Sequence, residues 1–154
     1  MATTLKILED FYEESFTLTA IHSDLEDYAL AYAINAALKV RLERSKKDLD
    51  FSDQTLFPYF EWKDEYSERY WTLIVNQSEA ESDNNFDGLF SDEPSYTKRQ
   101  LVPEYKEVDY FLKVDQEDLE EDELILKALQ SVPKVIMAYN INTDKLKSKQ
   151  NLIF

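Results

Sequence analysis

The side chains able to do chemistry in this chain are many in number and few in kind. There are 32 carboxylates, one histidine (His22) and no cysteine. A histidine beside a carboxylate could act as a general base, so His22 is the one candidate for acid–base work. Its position, at the end of a strand-like run and just before Ser23, suits a local hydrogen bond as well. A Ser-His-Asp triad would have to use His22, and there is no Gly-x-Ser-x-Gly elbow to carry a nucleophile. Without cysteine there are no disulfides, thiolate nucleophiles or cysteine-ligated zinc and iron–sulfur sites. Catalytic residues are therefore not assigned, and neither a metal nor a cofactor is expected. The single glycine, Gly88, cannot build a P-loop or a dinucleotide fingerprint, because both need several close backbone approaches.

Three clusters remain. Between Pro103 and Tyr110, the polar atoms of Glu104, Asp109 and Tyr110 could form a ligand-binding lip. The bland alternative is that Pro103 leads into a strand, with Val108 and Tyr110 facing the core and Asp109 facing out. The run Glu117–Glu123 holds six acids in seven residues and could bind a divalent cation or imitate a phosphate backbone. Calcium loops need spaced ligands and a turn glycine, which this run lacks, so it reads as a solvated helix start where the macrodipole favours acids. Lys39, Arg41, Arg44, Lys46 and Lys47 make a basic patch near Phe51 and Phe57. RNA-binding sheets interleave bases and aromatics in this way. A formal charge of -15, spread over both halves of the chain, argues against that use.

The segment Val102-Pro103-Glu104-Tyr105-Lys106-Glu107-Val108-Asp109-Tyr110 resembles the signature of the bacterial IPExxxVDY family. Pro103, Glu104, Val108, Asp109 and Tyr110 match the signature, and Val102 stands where it has isoleucine. The continuation Phe111-Leu112-Lys113-Val114 is also similar. The resemblance implies relatives but no activity, ligand or catalytic residue.

The elements that must position these residues follow from pattern. Phe16–His22 is β-branched and aromatic without helical period, and predicts a strand. Ser23 and Glu26 have capping-box spacing, predicting a helix to about Lys39 with two apolar stripes. One stripe is Leu25, Tyr28, Ala29, Tyr32 and Ala36, and the other is Leu30, Ile34 and Leu38. Val40–Phe51 alternates early and predicts an edge strand. Phe57–Lys63 and Arg69–Gln77 predict a hairpin around Asp64–Glu68, with Trp71, Leu73 and Val75 on one face. Residues 77–100, polar and long, predict a mobile loop with Phe86, Leu89 and Phe90 as a docking segment. Val108–Asp115, Asp118–Ser131 and Lys134–Ile141 predict strand, helix and strand, with Pro133 stopping the helix. Leu152-Ile153-Phe154 would tuck the tail onto the body.

The expected architecture is a single α+β domain over residues 1–154. A mixed sheet of about six strands carries two main helices on one face, in the order β-α-β-β-β, long loop, β-α-β. A 44% hydrophobic content suffices for one core. The acidic N-terminus lacks a signal-length apolar run and no stretch reaches membrane-spanning length, so a cytoplasmic protein is expected. Its charge repels nucleic acid and anionic membranes and favours a basic protein partner. Ten tyrosines, nine phenylalanines and two tryptophans exceed the needs of a small core, so some should be exposed for contact with a partner or a second copy. A non-enzymatic adaptor or regulator is the leading expectation. The alternatives are a small-molecule binder or carboxylate enzyme at Glu104 and Asp109, and an inhibitor that mimics nucleic acid.

Overall fold

In the computed structural model the described residues are 16–51, 55–81, 96–115 and 118–153. Phe86, Leu89 and Phe90, the expected docking segment, and Phe154 of the tail lie outside them. The strands are β1 (Phe16–Ser23), β2 (Glu43–Arg44), β3 (Leu49–Phe51), β4 (Thr55–Phe57) and β5 (Tyr59–Asp64). They continue with β6 (Arg69–Val75), β7 (Gln77–Glu81), β8 (Tyr96–Gln100), β9 (Tyr110–Asp115) and β10 (Val135–Ile141). The helices are α1 (Asp27–Leu38) and α2 (Leu119–Gln130). None of the described helices is long and apolar enough to cross a membrane.

Six strands form one sheet in the order β10-β1-β9-β6-β5-β2, which makes an α+β fold. Every neighbouring pair is antiparallel, where the sequence predicts a mixed sheet. The reason lies in the crossovers. Helix α2 does join two parallel strands, β9 and β10, but β1 lies between them. Likewise α1 carries the chain from β1 to the far edge, β2, with three strands between. Both crossovers skip neighbours, so no parallel ladder forms.

Alternation along the strands builds two cores. Ile21, Trp71, Leu73, Tyr110, Leu112 and Val114 face the helices and pack on Leu30, Ile34, Ile125 and Leu129. Leu18, Ala20, Ile74 and Phe111 face the other way. There they meet Phe57, Leu101, Val102, Val108 and the tail residues Leu146 and Leu152. The tail therefore tucks in at Leu152, while Ile153 is exposed.

Several local expectations need correction. Ser23 is not a helix cap. It ends β1, and its hydroxyl donates to the Lys134 carbonyl (2.8 Å) while accepting from the Leu25 N–H (3.2 Å). Glu26 occupies the cap position of α1 without a side-chain bond. The capping box fails because β1 runs one residue further and its last hydroxyl is taken by the Lys134 carbonyl, just before β10. Only one of the two apolar stripes of α1 is buried: Leu30 and Ile34 are in the core, whereas Tyr28, Tyr32 and Ala36 are exposed. A helix resting on a sheet has one inward face, and the alanine and tyrosine ridge lies on the other. The predicted edge strand breaks into β2 (Glu43–Arg44), at the edge of the main sheet, and β3 (Leu49–Phe51), which pairs with β4, while Val40 and Leu42 are buried. Pro58, which has no N–H to donate, separates β4 from β5. The ends of the predicted loop are strands, with Gln77–Glu81 pairing antiparallel to Tyr96–Gln100. Their polar composition hides a hairpin whose backbone continues from β6.

Ile34 has no exposed surface. Ile34→Ala should therefore cost about 2–5 kcal/mol in denaturant melts, from lost burial plus the cavity left behind. Tyr32→Ala, on the exposed ridge, should stay within about 0.5 kcal/mol of the parent. Equal effects would mean that α1 is rotated from the orientation described.

Candidate binding site

The signature-like segment is organised by a residue the sequence reading passed over. Asn76, fully buried between β6 and β7, donates from Nδ2 to the carbonyls of Tyr105 (2.9 Å) and Val108 (2.8 Å). Its Oδ1 accepts from the Val102 N–H (2.9 Å). Its own backbone bonds Asp109 and Leu101 at 3.0 and 2.7 Å. One amide side chain thus satisfies three buried backbone groups of residues 102–108. A lone Asn at the end of an apolar run is the only sequence signal, and it is indistinguishable from a turn residue.

Pro103, Glu104, Asp109 and Tyr110 do not converge. Pro103 opens a 3-10 turn over Pro103–Tyr105, and β9 begins only at Tyr110. The proline therefore starts a turn rather than a strand. Glu104 reaches the tail, accepting from the Ser148 N–H (3.1 Å) and hydroxyl (2.9 Å). Partial desolvation raises its pKa, but the Ser148 amide and hydroxyl outweigh this and hold it below the ordinary glutamate value. Asp109 accepts from the Ser23 N–H at 3.0 Å, and the Tyr110 hydroxyl donates to the Leu25 carbonyl. Burial, reinforced by Asp27, Asp109 and Glu26, pushes the Tyr110 phenol up to about 12. Asp109 and Tyr110 thus fasten the end of β1 and its connection to α1, while Glu104 fastens the tail.

Several of the remaining sequence candidates make internal contacts. His22 Nε2 lies 3.2 Å from the Tyr139 hydroxyl, with tilted rings 5.6 Å apart. In the basic patch, Arg44 pairs with Asp48 and lies 6.0 Å from the Phe60 ring, and Phe57 is buried. The acidic run is not wholly solvated. Asp118 caps α2 by accepting from the Glu121 N–H (3.1 Å), and Asp122 turns inward to 7% exposure. Asp122 Oδ1 meets buried Arg69 at 2.8 Å. Its Oδ2 accepts from the Thr17 hydroxyl (2.5 Å) and the Asp118 N–H (3.1 Å). Arg69 also meets Glu121 at 3.0 Å and donates from Nε to the Asp115 carbonyl at 3.1 Å. Helical period puts Asp122 on the face of Ile125 and Leu129, a signal present in the sequence. No group of acids or histidines among the described residues could hold a metal ion.

Above this network the two helices leave a cleft of about 350 Å³. Its floor is a cross-strand pair, Trp62 and Trp71, with ring centroids 6.3 Å apart. Leu38 of α1 and Leu124 and Ile125 of α2 supply apolar walls. Asp64, Glu121 and Lys39 also line it. The Ser67 hydroxyl bonds Asp64 at 2.7 Å and, against slight desolvation and with help from the Tyr66 amide, keeps its carboxyl below the usual aspartate range. Trp71 is 3% exposed, and its indole N–H finds no acceptor among the described residues. An unmet donor of this kind costs about 1–3 kcal/mol. Apolar walls, a few polar groups and this volume are the attributes of a binding pocket.

Asn76→Ala should destabilise by about 3–5 kcal/mol in denaturant melts, because three buried backbone groups lose their partner. A neutral outcome would show that water or a local shift replaces the amide. The lowered Glu104 pKa means that its bond to Ser148 stabilises the docked tail above the ordinary glutamate pKa. That contribution is lost as pH falls through the lowered value of the folded state. The Ser148 amide resonance should titrate with a midpoint below that of free glutamate, and should be flat in Glu104→Gln. Compared with family models, with curated proteins and with solved structures, the chain finds no match.

Proposed function

We propose that this protein is a non-enzymatic adaptor or regulator that docks a basic protein segment on its two-helix face. The observation carrying this reading is the outer surface of the helical layer. Tyr28 and Tyr32, one turn apart on α1, are 64% and 77% exposed, and Leu124 on α2 is 66% exposed. Asp24, Glu26, Glu120 and Glu123 stand exposed on the same layer. Rigid aromatic side chains give contact area at small entropic cost, and the acids steer a cation-rich partner. The overall charge of -15 extends that field beyond the contact.

Enzymatic readings have less to stand on. Glu104 and Asp109 are committed to Ser148 and Ser23, two separate segments of the chain. The acids of α2 are divided between a cap, a buried ion pair and solvent, which does not make the even ridge of a phosphate mimic. Membership of the IPExxxVDY family and a cytoplasmic location belong to the same proposal. The first is supported by the match at Pro103, Glu104, Val108, Asp109 and Tyr110, and the second by the composition.

The test is affinity capture from native lysate with wild-type protein and a Tyr28→Ala/Tyr32→Ala variant, at low and high salt. A specific partner should be retained by the wild type, released by salt and lost with the double substitution. A partner held equally by both proteins would remove the helical face from the interface.

A further inference from the structure

We propose that the cleft between α1 and α2 is an anchor pocket for an arginine or lysine side chain of a basic peptide. The inference rests on the helical layer being the docking face, and it specifies where on that face one residue of the partner is read.

Three features of the cleft select this occupant. The floor is two indoles; Trp71 is almost fully buried, so it is the partly exposed Trp62 ring that a guanidinium or ammonium group and its alkyl stem can meet. The lining carries two carboxylates, Asp64 and Glu121. Asp64 is held ionised by local hydrogen bonds, and the Glu121 side chain is 42% exposed although it pairs with Arg69. Finally, the Trp71 indole N–H lacks an acceptor among the described residues. A bare amine could not supply one, whereas a peptide brings carbonyl groups together with its cation. The volume, about 350 Å³, suits one long side chain rather than a folded element. Leu124, which lines the cleft, is 66% exposed, and Tyr28 and Tyr32 stand exposed on α1, whose C-terminal end forms the other wall. Lys39 also lines the cleft and opposes a cationic occupant, but the two carboxylates outnumber it.

The chain has a built-in reporter. Its two tryptophans both line the cleft, so intrinsic emission reads occupancy of this site. The probes are a short acetylated and amidated peptide alternating arginine with leucine, the same peptide with glutamate in place of arginine, and arginine amide. The arginine peptide should change the emission saturably and more weakly as salt is raised, and the glutamate peptide should leave it unchanged. Leu124→Lys puts a cation at the exposed lip without touching the core, and should weaken binding of the arginine peptide by about tenfold or more. Asp64→Asn should weaken it as well, with unfolding curves confirming that both variants are folded.

Flat emission with the arginine peptide, or equal affinity for wild type and Leu124→Lys, overturns the proposal. Equal affinity for arginine amide and the peptide also overturns it, because the site would then take a free small cation. Failure here is separable from failure of the docking face. If Tyr28→Ala/Tyr32→Ala abolishes capture of a partner while the titration stays flat, the face stands and the pocket falls. If the titration succeeds and capture ignores the tyrosines, the reverse holds.

Discussion

The helical side of this protein depends on one buried ion pair, Arg69 with Asp122. Arg69 begins β6 near the middle of the sheet, and Asp122 lies in the first turns of α2. Both are almost fully buried, so neither charge has water to fall back on. Such a pair adds little net stability compared with apolar residues of the same shape. Removing one partner, however, costs about 3–5 kcal/mol because it strands the other charge. Its value is positional. With Thr17, Asp115, Asp118 and Glu121 also in contact with the pair, α2 has one axial position on the sheet in which all of these contacts are made. That position sets the spacing between α2 and α1, and hence the cleft over Trp62 and Trp71.

A second polar anchor organises the opposite side. Asn76 does for residues 101–109 what a strand neighbour would do for a regular strand, supplying donors and acceptors to backbone that follows neither helix nor ladder. Around it Leu101, Val102 and Val108 are delivered into the second core, and the turn offers Glu104 to the tail. The segment that looks like a family signature therefore has a structural reason for its residues. Pro103 starts a turn, Val108 fills the core, and Asp109 and Tyr110 hold the β1–α1 connection.

These two anchors leave the outer helical surface unburdened by structural duty. Tyr28, Tyr32 and Leu124 contribute nothing to the core, yet they are large and apolar enough to be costly in water. Glu26, Glu120 and Glu123 are exposed on or beside the same helices, and Lys127 reaches Glu123 at 3.5 Å. The same face combines aromatic area, negative potential and a pocket, the three ingredients of a site that binds a basic chain by complementarity rather than by chemistry.

How much of this was legible beforehand differs by scale. Strand alternation at Trp71, Leu73 and Val75, the acid-rich start of α2 with Pro133 beyond its end, and the scarcity of glycine were readable from local pattern. These features reflect near-neighbour sterics and burial, which act over a few residues. The candidate site was not readable in the same way. Nothing local says that Asn76 would reach Val102 and Val108, or that Tyr28 rather than Leu30 would face solvent. The sequence by itself determined the α+β class, the absence of cysteine chemistry and the acidic field. Tertiary structure alone decided that both crossovers skip a strand, that Asp122 turns inward to Arg69, and that two helices stop short of closing over two tryptophans. Those outcomes depend on which distant groups satisfy one another's hydrogen bonds and charge, and such pairing leaves no periodic trace in the chain.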